Sequence, residues 1–181
     1  MTVVRLSISD VVMVTPRVVS DSRGYFFESF RQQAFENAIE RRVTFVQENQ
    51  SHSKKGVLRG LHYQLRHPQG KLVRVLQGAI WDVAVDIRRT SPTFGQWVAE
   101  VLSAENARQL WIPDGFAHGF MVLGESADVL YKTTTYYAPA DEHVIVWNDP
   151  DLRIDWPSTD APVISAKDAA ASRLSDADVF D

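Results

Sequence analysis

Two histidines in this sequence stand where an imidazole could do chemistry. His62 lies in Gly56-Val57-Leu58-Arg59-Gly60-Leu61-His62-Tyr63-Gln64, an apolar, glycine-punctuated stretch with a guanidinium three residues before the ring. His118 closes Pro113-Asp114-Gly115-Phe116-Ala117-His118. Imidazole titrates closest to neutrality of all side chains, so either ring suits proton transfer or metal ligation, beside the commoner fate of a hydrogen-bonded core residue. Abstracting a proton next to a carbonyl needs a base, a cation or donor for the enolate oxygen, and an acid on the opposite face. The types are present: Lys71 opens one strand-like run, Tyr131 lies inside another, and Asp168 comes late in the chain. Spacing alone does not bring them together.

Strands and turns must do the positioning. Residues 3–20 read as short strands, and Asp21-Ser22-Arg23-Gly24 as a turn with Gly24 free to take positive φ. Tyr25 to Phe30 reads as an aromatic strand with Phe26, Glu28 and Phe30 on one face. A helix is predicted over 31–42, where Phe35, Ala38 and Ile39 share a side, and a strand over Thr44 to Asn49. From residue 57 to 147 the pattern is strand and turn: 71–77 and 79–87 around a Gln77-Gly78 hairpin, then 96–103, 108–112, 116–123 and 128–137. Many short, turn-punctuated strands argue an antiparallel sandwich or barrel. After Pro157 the composition turns to Ser, Ala, Asp and Pro, with a short helix around Ser165 to Ala171. With no repeat or low-complexity linker, the expectation is one domain over 1–181, its core about 3–157 and a short helical segment over 158–181.

Composition excludes several classes. A net charge of −4 gives no nucleic-acid footprint, and the absence of cysteine removes disulfides and thiolate chemistry. No apolar run approaches the roughly 20 residues that span a bilayer. Met1 to Arg5 lacks the apolar run of a signal peptide, so the expected location is cytoplasmic.

The strand pattern resembles jelly rolls of the cupin type, which bind metal through His-x-His, a downstream Glu and a second-motif His. Pro113 to His118 matches the second motif, but His62-Tyr63-Gln64 replaces His-x-His and residues 65–69 supply no carboxylate. Two imidazoles fall short of the three protein ligands usual at a catalytic site, so no metal is expected. A closer resemblance covers residues 3 to 175. Asp21 to Phe26, Gln47 to Ser51, Gly56 to Gln64, Gly70 to Val75, Pro113 to His118, Val129 to Lys132, Trp147 to Pro150 and Ser165 to Asp168 occur in that order. Together they are similar to the dTDP-4-dehydrorhamnose 3,5-epimerase family.

That resemblance implies a mainly β, antiparallel double-stranded jelly roll with a few short helices. It implies a cofactor-independent enzyme that converts dTDP-4-dehydro-6-deoxy-D-glucose to dTDP-4-dehydro-L-rhamnose by inverting C3 and C5. His62 matches the family's base, Asp168 the carboxylate that holds it, Lys71 the enolate stabiliser and Tyr131 the acid. Arg23, Glu28, Gln47, Asn49, Arg59, His118, Glu142 and Lys167 match the substrate-binding positions. The aromatics at 25–27 and at Tyr136-Tyr137 offer stacking surfaces for thymine. Family members are homodimers with an exchanged N-terminal strand, so Arg23 and Glu28 are candidates to serve a neighbour's site. A relative that inverts only C3, and a non-catalytic sugar-nucleotide-binding module, are the alternatives.

Each assignment has a plainer competitor. Asp168 follows Ser165 by three residues, a capping-box arrangement. Tyr131 could be core, Lys71 an exposed strand end, and Arg23 a turn residue. One conflict is internal to the pattern: Arg59 and His62, an odd number apart, point to opposite faces of a regular strand. If both meet substrate, Gly60 must mark a bulge.

Overall fold

The computed structural model describes residues 1–157 and 161–181; residues 158–160, where the expected helical segment begins, lie outside the described part. In chain order the elements are β1 (Thr2–Arg5), β2 (Val12–Thr15), β3 (Val19–Asp21), β4 (Gly24–Phe26), α1 (Gln32–Ile39), β5 (Gln47–Lys54) and β6 (Leu58–Gln64). They continue with β7 (Lys71–Asp86), β8 (Trp97–Ser103), β9 (Gln109–Ile112), β10 (Phe116–Thr133), β11 (Glu142–Val144) and α2 (Ala166–Ala169).

Two long central strands, β7 and β10, pair antiparallel along their length and bend, so each belongs to both layers of a jelly roll. Their lower halves, Lys71–Arg74 and Ser126–Thr133, are flanked by β9 and β5. Their upper halves, Ala79–Val85 and His118–Met121, are flanked by β8 and β6. β2 and β1 extend the first layer beyond β9, and β11 extends the second beyond β6. The jelly roll expected from the sequence is therefore the observed fold.

Apolar residues fill three spaces. Val73, Val75, Ile80, Ala84, Leu110, Phe116, Phe120 and Val129 pack between the layers. Val12, Val14, Leu72 and Trp111 receive Phe35 and Ile39 of α1, which buries the apolar stripe seen in its sequence. Leu61, Tyr63, Val83, Val85 and Ile145 pack against Leu152, Leu174 and Val179 of the C-terminal segment.

Four local expectations are corrected. Gln77-Gly78 is not a hairpin: β7 runs through it as one 16-residue strand. Gly78 has φ +75, and a Cβ there would sit 2.0 Å from the Ser126 carbonyl oxygen, so this glycine permits close approach to β10 instead of a turn. Likewise 116–123 and 128–137 are parts of a single strand, which ends at Thr133. The aromatic strand is only Gly24–Phe26; Phe26 is exposed, whereas Phe30 leaves the strand to pack on Phe35 and Phe45. Phe45 joins that cluster against Trp111, and β5 begins only at Gln47.

Candidate active site

The candidate residues come from β5, β6, β7, β10, β11 and α2, and the strands do not present them by simple alternation. On β6, His62 pairs with His118 while Arg59 pairs with Phe120. Three steps on β6 match two on β10, so β6 carries one extra residue around Gly60 and Leu61. Gly60 has φ +127, and a Cβ on it would lie 2.5 Å from the Gly119 Cα. The peptide joining Gly60 to Leu61 is cis. Because the bulge reverses the alternation, Arg59 and His62 line the same cleft.

The same device recurs on the central strands. Gln77 pairs with Asp128 and Val75 with Val129, leaving Leu76 as an extra residue in β7. Inward residues are accordingly odd-numbered before it (Val73, Val75) and even-numbered after it (Ile80, Ala84). On β10, Val122 pairs with Ile80 and Ala127 with Gly78, and residues 123–126 bulge out. There the inward set changes from Phe116, Phe120 and Val122 to Ala127 and Val129. These shifts put His118 and Tyr131, an odd 13 residues apart, on the walls of one cleft.

That cleft has a volume of ≈ 430 Å³ and is lined by Gln47, Asn49, Arg59, His62, Lys71, His118, Tyr131, Glu142 and Lys167 among others. At its centre His62 Nε2 lies 2.7 Å from Asp168 Oδ1. The His62 side chain is 27% exposed and that of Asp168 only 2%. With Nε2 bound to the carboxylate, Nδ1 is the ring nitrogen left to take a proton. Asp168 reaches this position from α2, whose N-cap Ser165 accepts the Asp168 N–H at 3.1 Å. Both readings of Asp168 therefore hold: its backbone completes the cap and its carboxylate turns to the histidine. Burial raises the Asp168 pKa, but the hydrogen bonds from His62 and the Gly60 N–H outweigh it, and the net direction is down.

Lys71 is 8% exposed, not a solvated strand end. Its ammonium donates to the His62 carbonyl oxygen at 3.3 Å. Burial pulls its pKa down to about 8, against the opposing pull of Asp82 and Glu142. The amine thus stays cationic at neutral pH and close to its titration. Tyr131 is part-buried on β10, paired with Asn49 of β5. Burial raises its phenol above the ordinary value, so the group carries a proton it can donate.

The remaining cleft residues form a polar rim. Arg59 is steadied by Nε donating to Ser53 Oγ at 2.9 Å. Gln47 donates to Asn49 at 2.8 Å and accepts the Tyr137 N–H at 2.9 Å. Glu142 pairs with the Lys167 ammonium and accepts the Tyr137 hydroxyl at 2.6 Å. Burial raises the Glu142 pKa, but these partners together carry it down. His118 Nε2 lies 2.7 Å from Asp82 Oδ1, and burial lowers its pKa.

Arg23 and Glu28 are not in this cleft. Arg23 sits in the β3–β4 turn, 87% exposed and paired with Asp21. Glu28 pairs with Arg31 and lines a separate pocket with Phe30 and Leu72. Asp82 is the functional candidate that sequence reading missed. Its signal was a carboxylate within the apolar run 79–87, which a barrel interior admits only with a partner. A cupin-type metal does not fit these residues. His62 and His118 each spend Nε2 on their own carboxylate, and no third ligand joins them among the described residues.

Comparison with known proteins bears on the same arrangement. A family model described as dTDP-4-dehydrorhamnose 3,5-epimerase matches residues 5–176. The chain belongs to that family. The dTDP-4-dehydrorhamnose 3,5-epimerase of Pseudomonas aeruginosa is 62% identical over 97% of this chain and 97% of its own length. That of Salmonella typhimurium is 58% identical over 98% of this chain and 97% of its own. Among solved structures, a 3,5-epimerase from Legionella pneumophila in complex with dTDP-4-keto-L-rhamnose superposes with a TM-score of 0.95 at 51% identity. That match covers 98% of this chain and 94% of the other. This protein is accordingly an enzyme of the isomerase class.

Proposed function

We propose that the protein acts as one domain over residues 1–181 and converts dTDP-4-dehydro-6-deoxy-D-glucose to dTDP-4-dehydro-L-rhamnose. Supporting this most directly is the convergence on one cleft of a carboxylate-bound imidazole, a buried ammonium and a protonated phenol. In this reading His62 Nδ1 removes the proton alpha to the C4 ketone. The electron pair moves onto the ketone oxygen as an enolate, which the Lys71 ammonium stabilises. Tyr131 returns a proton from the opposite face, and the cycle repeats at the second alpha carbon after both groups exchange protons with solvent. The ketone itself delocalises the carbanion, so no cofactor is assigned.

Arg59 and Lys167 suit the diphosphate, and Gln47, Asn49, His118 and Glu142 suit the polar groups of sugar and base. Arg23 and Glu28 are assigned to the neighbouring site of a homodimer. Supporting this, the β3–β4 hairpin forms a two-stranded sheet of its own and exposes Val19, Tyr25 and Phe26. No helix among the described residues is long and apolar enough to cross a membrane, and the assigned location is cytoplasmic. The test is turnover of the keto sugar in deuterium oxide. Deuterium at both C3 and C5 is expected; a protein that binds the nucleotide sugar but exchanges neither proton would make it a binding module.

A further inference from the structure

Asp82 lies outside the roles assigned above, yet it is the most deeply placed charged group near the cleft. It is fully buried, with one oxygen 2.7 Å from His118 Nε2. Its other oxygen, Oδ2, receives no hydrogen bond among the described residues. A buried carboxylate oxygen left without donor or counter-charge is costly, so a group in the neighbourhood must compensate it. Lys71 has the complementary deficit. Its ammonium carries three donors in a buried seat, and among the described residues the one hydrogen bond it makes is to the His62 carbonyl.

The strand geometry explains why these two groups share a compartment. Lys71 and Asp82 are an odd 11 residues apart on β7 and would face opposite ways on a regular strand. The extra residue at Leu76 reverses the alternation between them. Both then belong to the inward set, Lys71 with Val73 and Val75, and Asp82 with Ile80 and Ala84. On the adjacent strand Asp82 pairs with Phe120, a lining residue two positions from His118. The ionisable groups that line the cleft with Lys71 are Arg59, His62 and Tyr63 on β6, His118 and Tyr131 on β10, Tyr137, Glu142 on β11 and Lys167 on α2, with Asp168 behind His62. Of these Glu142 already has the Lys167 ammonium as partner, which leaves Asp82 as the buried negative group with a free oxygen.

We propose that Asp82 is a positioning residue for the epimerisation: one carboxylate oxygen fixes the His118 ring, and the other supplies the counter-charge for the Lys71 ammonium. A buried lysine deprived of that charge gives up its proton more readily, in line with the upward pull Asp82 exerts on it. The bulge at Leu76 is then a functional feature of β7, since without it the carboxylate would face away from the interior, with Val83 and Val85.

The inference rests on the enolate role given to Lys71, and the test separates the two. Substrate-proton exchange is measured from pH 6 to pH 9 for the wild type and Asp82→Asn, which keeps the shape and an acceptor for His118 but removes the charge. The alkaline limb of the variant should move toward neutrality by roughly one pH unit, so that its deficit widens as pH rises. A deficit equal at every pH would overturn the proposal. Thermal unfolding of Asp82→Asn and of Lys71→Met/Asp82→Asn gives a readout independent of turnover. The double variant should be the more stable, or the one that folds if the single variant does not. A double variant no more stable than the single one overturns the pairing. A wild type that exchanges no substrate proton defeats the enolate reading alone, and the unfolding comparison still decides whether Asp82 serves Lys71.

Discussion

At the scale of single residues, the proposed chemistry rests on His62 and Lys71, whose environments differ. His62 is part-exposed and held by a nearly fully buried carboxylate. His62→Asn should lower turnover roughly 10²–10⁴-fold, the usual worth of a positioned base, with far less effect on nucleotide-sugar binding measured by calorimetry. Lys71 makes the sharper prediction, because its burial is costly in the ground state. Its folded pKa, about 8, lies below the ordinary 10.5. Each tenfold change in an ionisation constant is worth about 1.4 kcal/mol, so carrying the charge costs the fold about 3 kcal/mol at neutral pH. Between pH 8 and 10.5 the unfolded chain binds more protons than the folded one, and the Lys71 contribution to stability rises with pH across that window. Two measurements follow. Activity should fall above about pH 8 as the ammonium is lost. Lys71→Met should remove most turnover; introduced into Asp82→Asn, where it leaves no buried carboxylate unpaired, it should raise the unfolding temperature at pH 7, and the gain should shrink by pH 10. A double variant less stable than Asp82→Asn at pH 7 would contradict the charge state given to this lysine.

At the scale of elements, the site depends on strands that break their own alternation. Gly60→Ala places a Cβ 2.5 Å from the Gly119 Cα at a φ of +127. It should cost about 2 kcal/mol or more, read by urea unfolding, and should disturb both Arg59 and His62. Gly124→Ala is the control: a Cβ there meets nothing within 4 Å, and the change should stay within about 0.5 kcal/mol. These irregularities also mark where the sequence was legible. Period-two alternation reveals strands, and the helix at Gln32–Ile39 shows through Phe35 and Ile39. The conflict between Arg59 and His62 even pointed to Gly60 as the place of a bulge. Gln77-Gly78 reads as a turn because positive φ is common to hairpins and bulges; what distinguishes them is the Ser126 backbone across the sheet, a contact 48 residues away. The link from Asp168 to His62, 106 residues apart, has no local signal beyond the cap that sets α2. Spacing could not reach it, and only the family resemblance named the pair.

At the scale of the whole molecule, the β3–β4 hairpin is unfinished business for a single chain. Tyr25 and Phe26 are 71% and 75% exposed, and Arg23 stands in the turn between the strands. In the proposed homodimer these residues would meet a neighbour, so Phe26→Asp should shift sedimentation toward monomer. Arg23→Ala should raise KM with a smaller change in kcat. A fully active monomer would contradict that assembly. The central claim is that one cleft, with His62 as its base, exchanges the protons on both carbons flanking the ketone. It is tested most directly by proton NMR of the product formed in deuterium oxide by wild type and His62→Asn. The expected result is deuterium at C3 and C5 with inversion at both for the wild type, and neither position labelled by the variant. Label at C3 alone, or exchange undiminished in the variant, would contradict it.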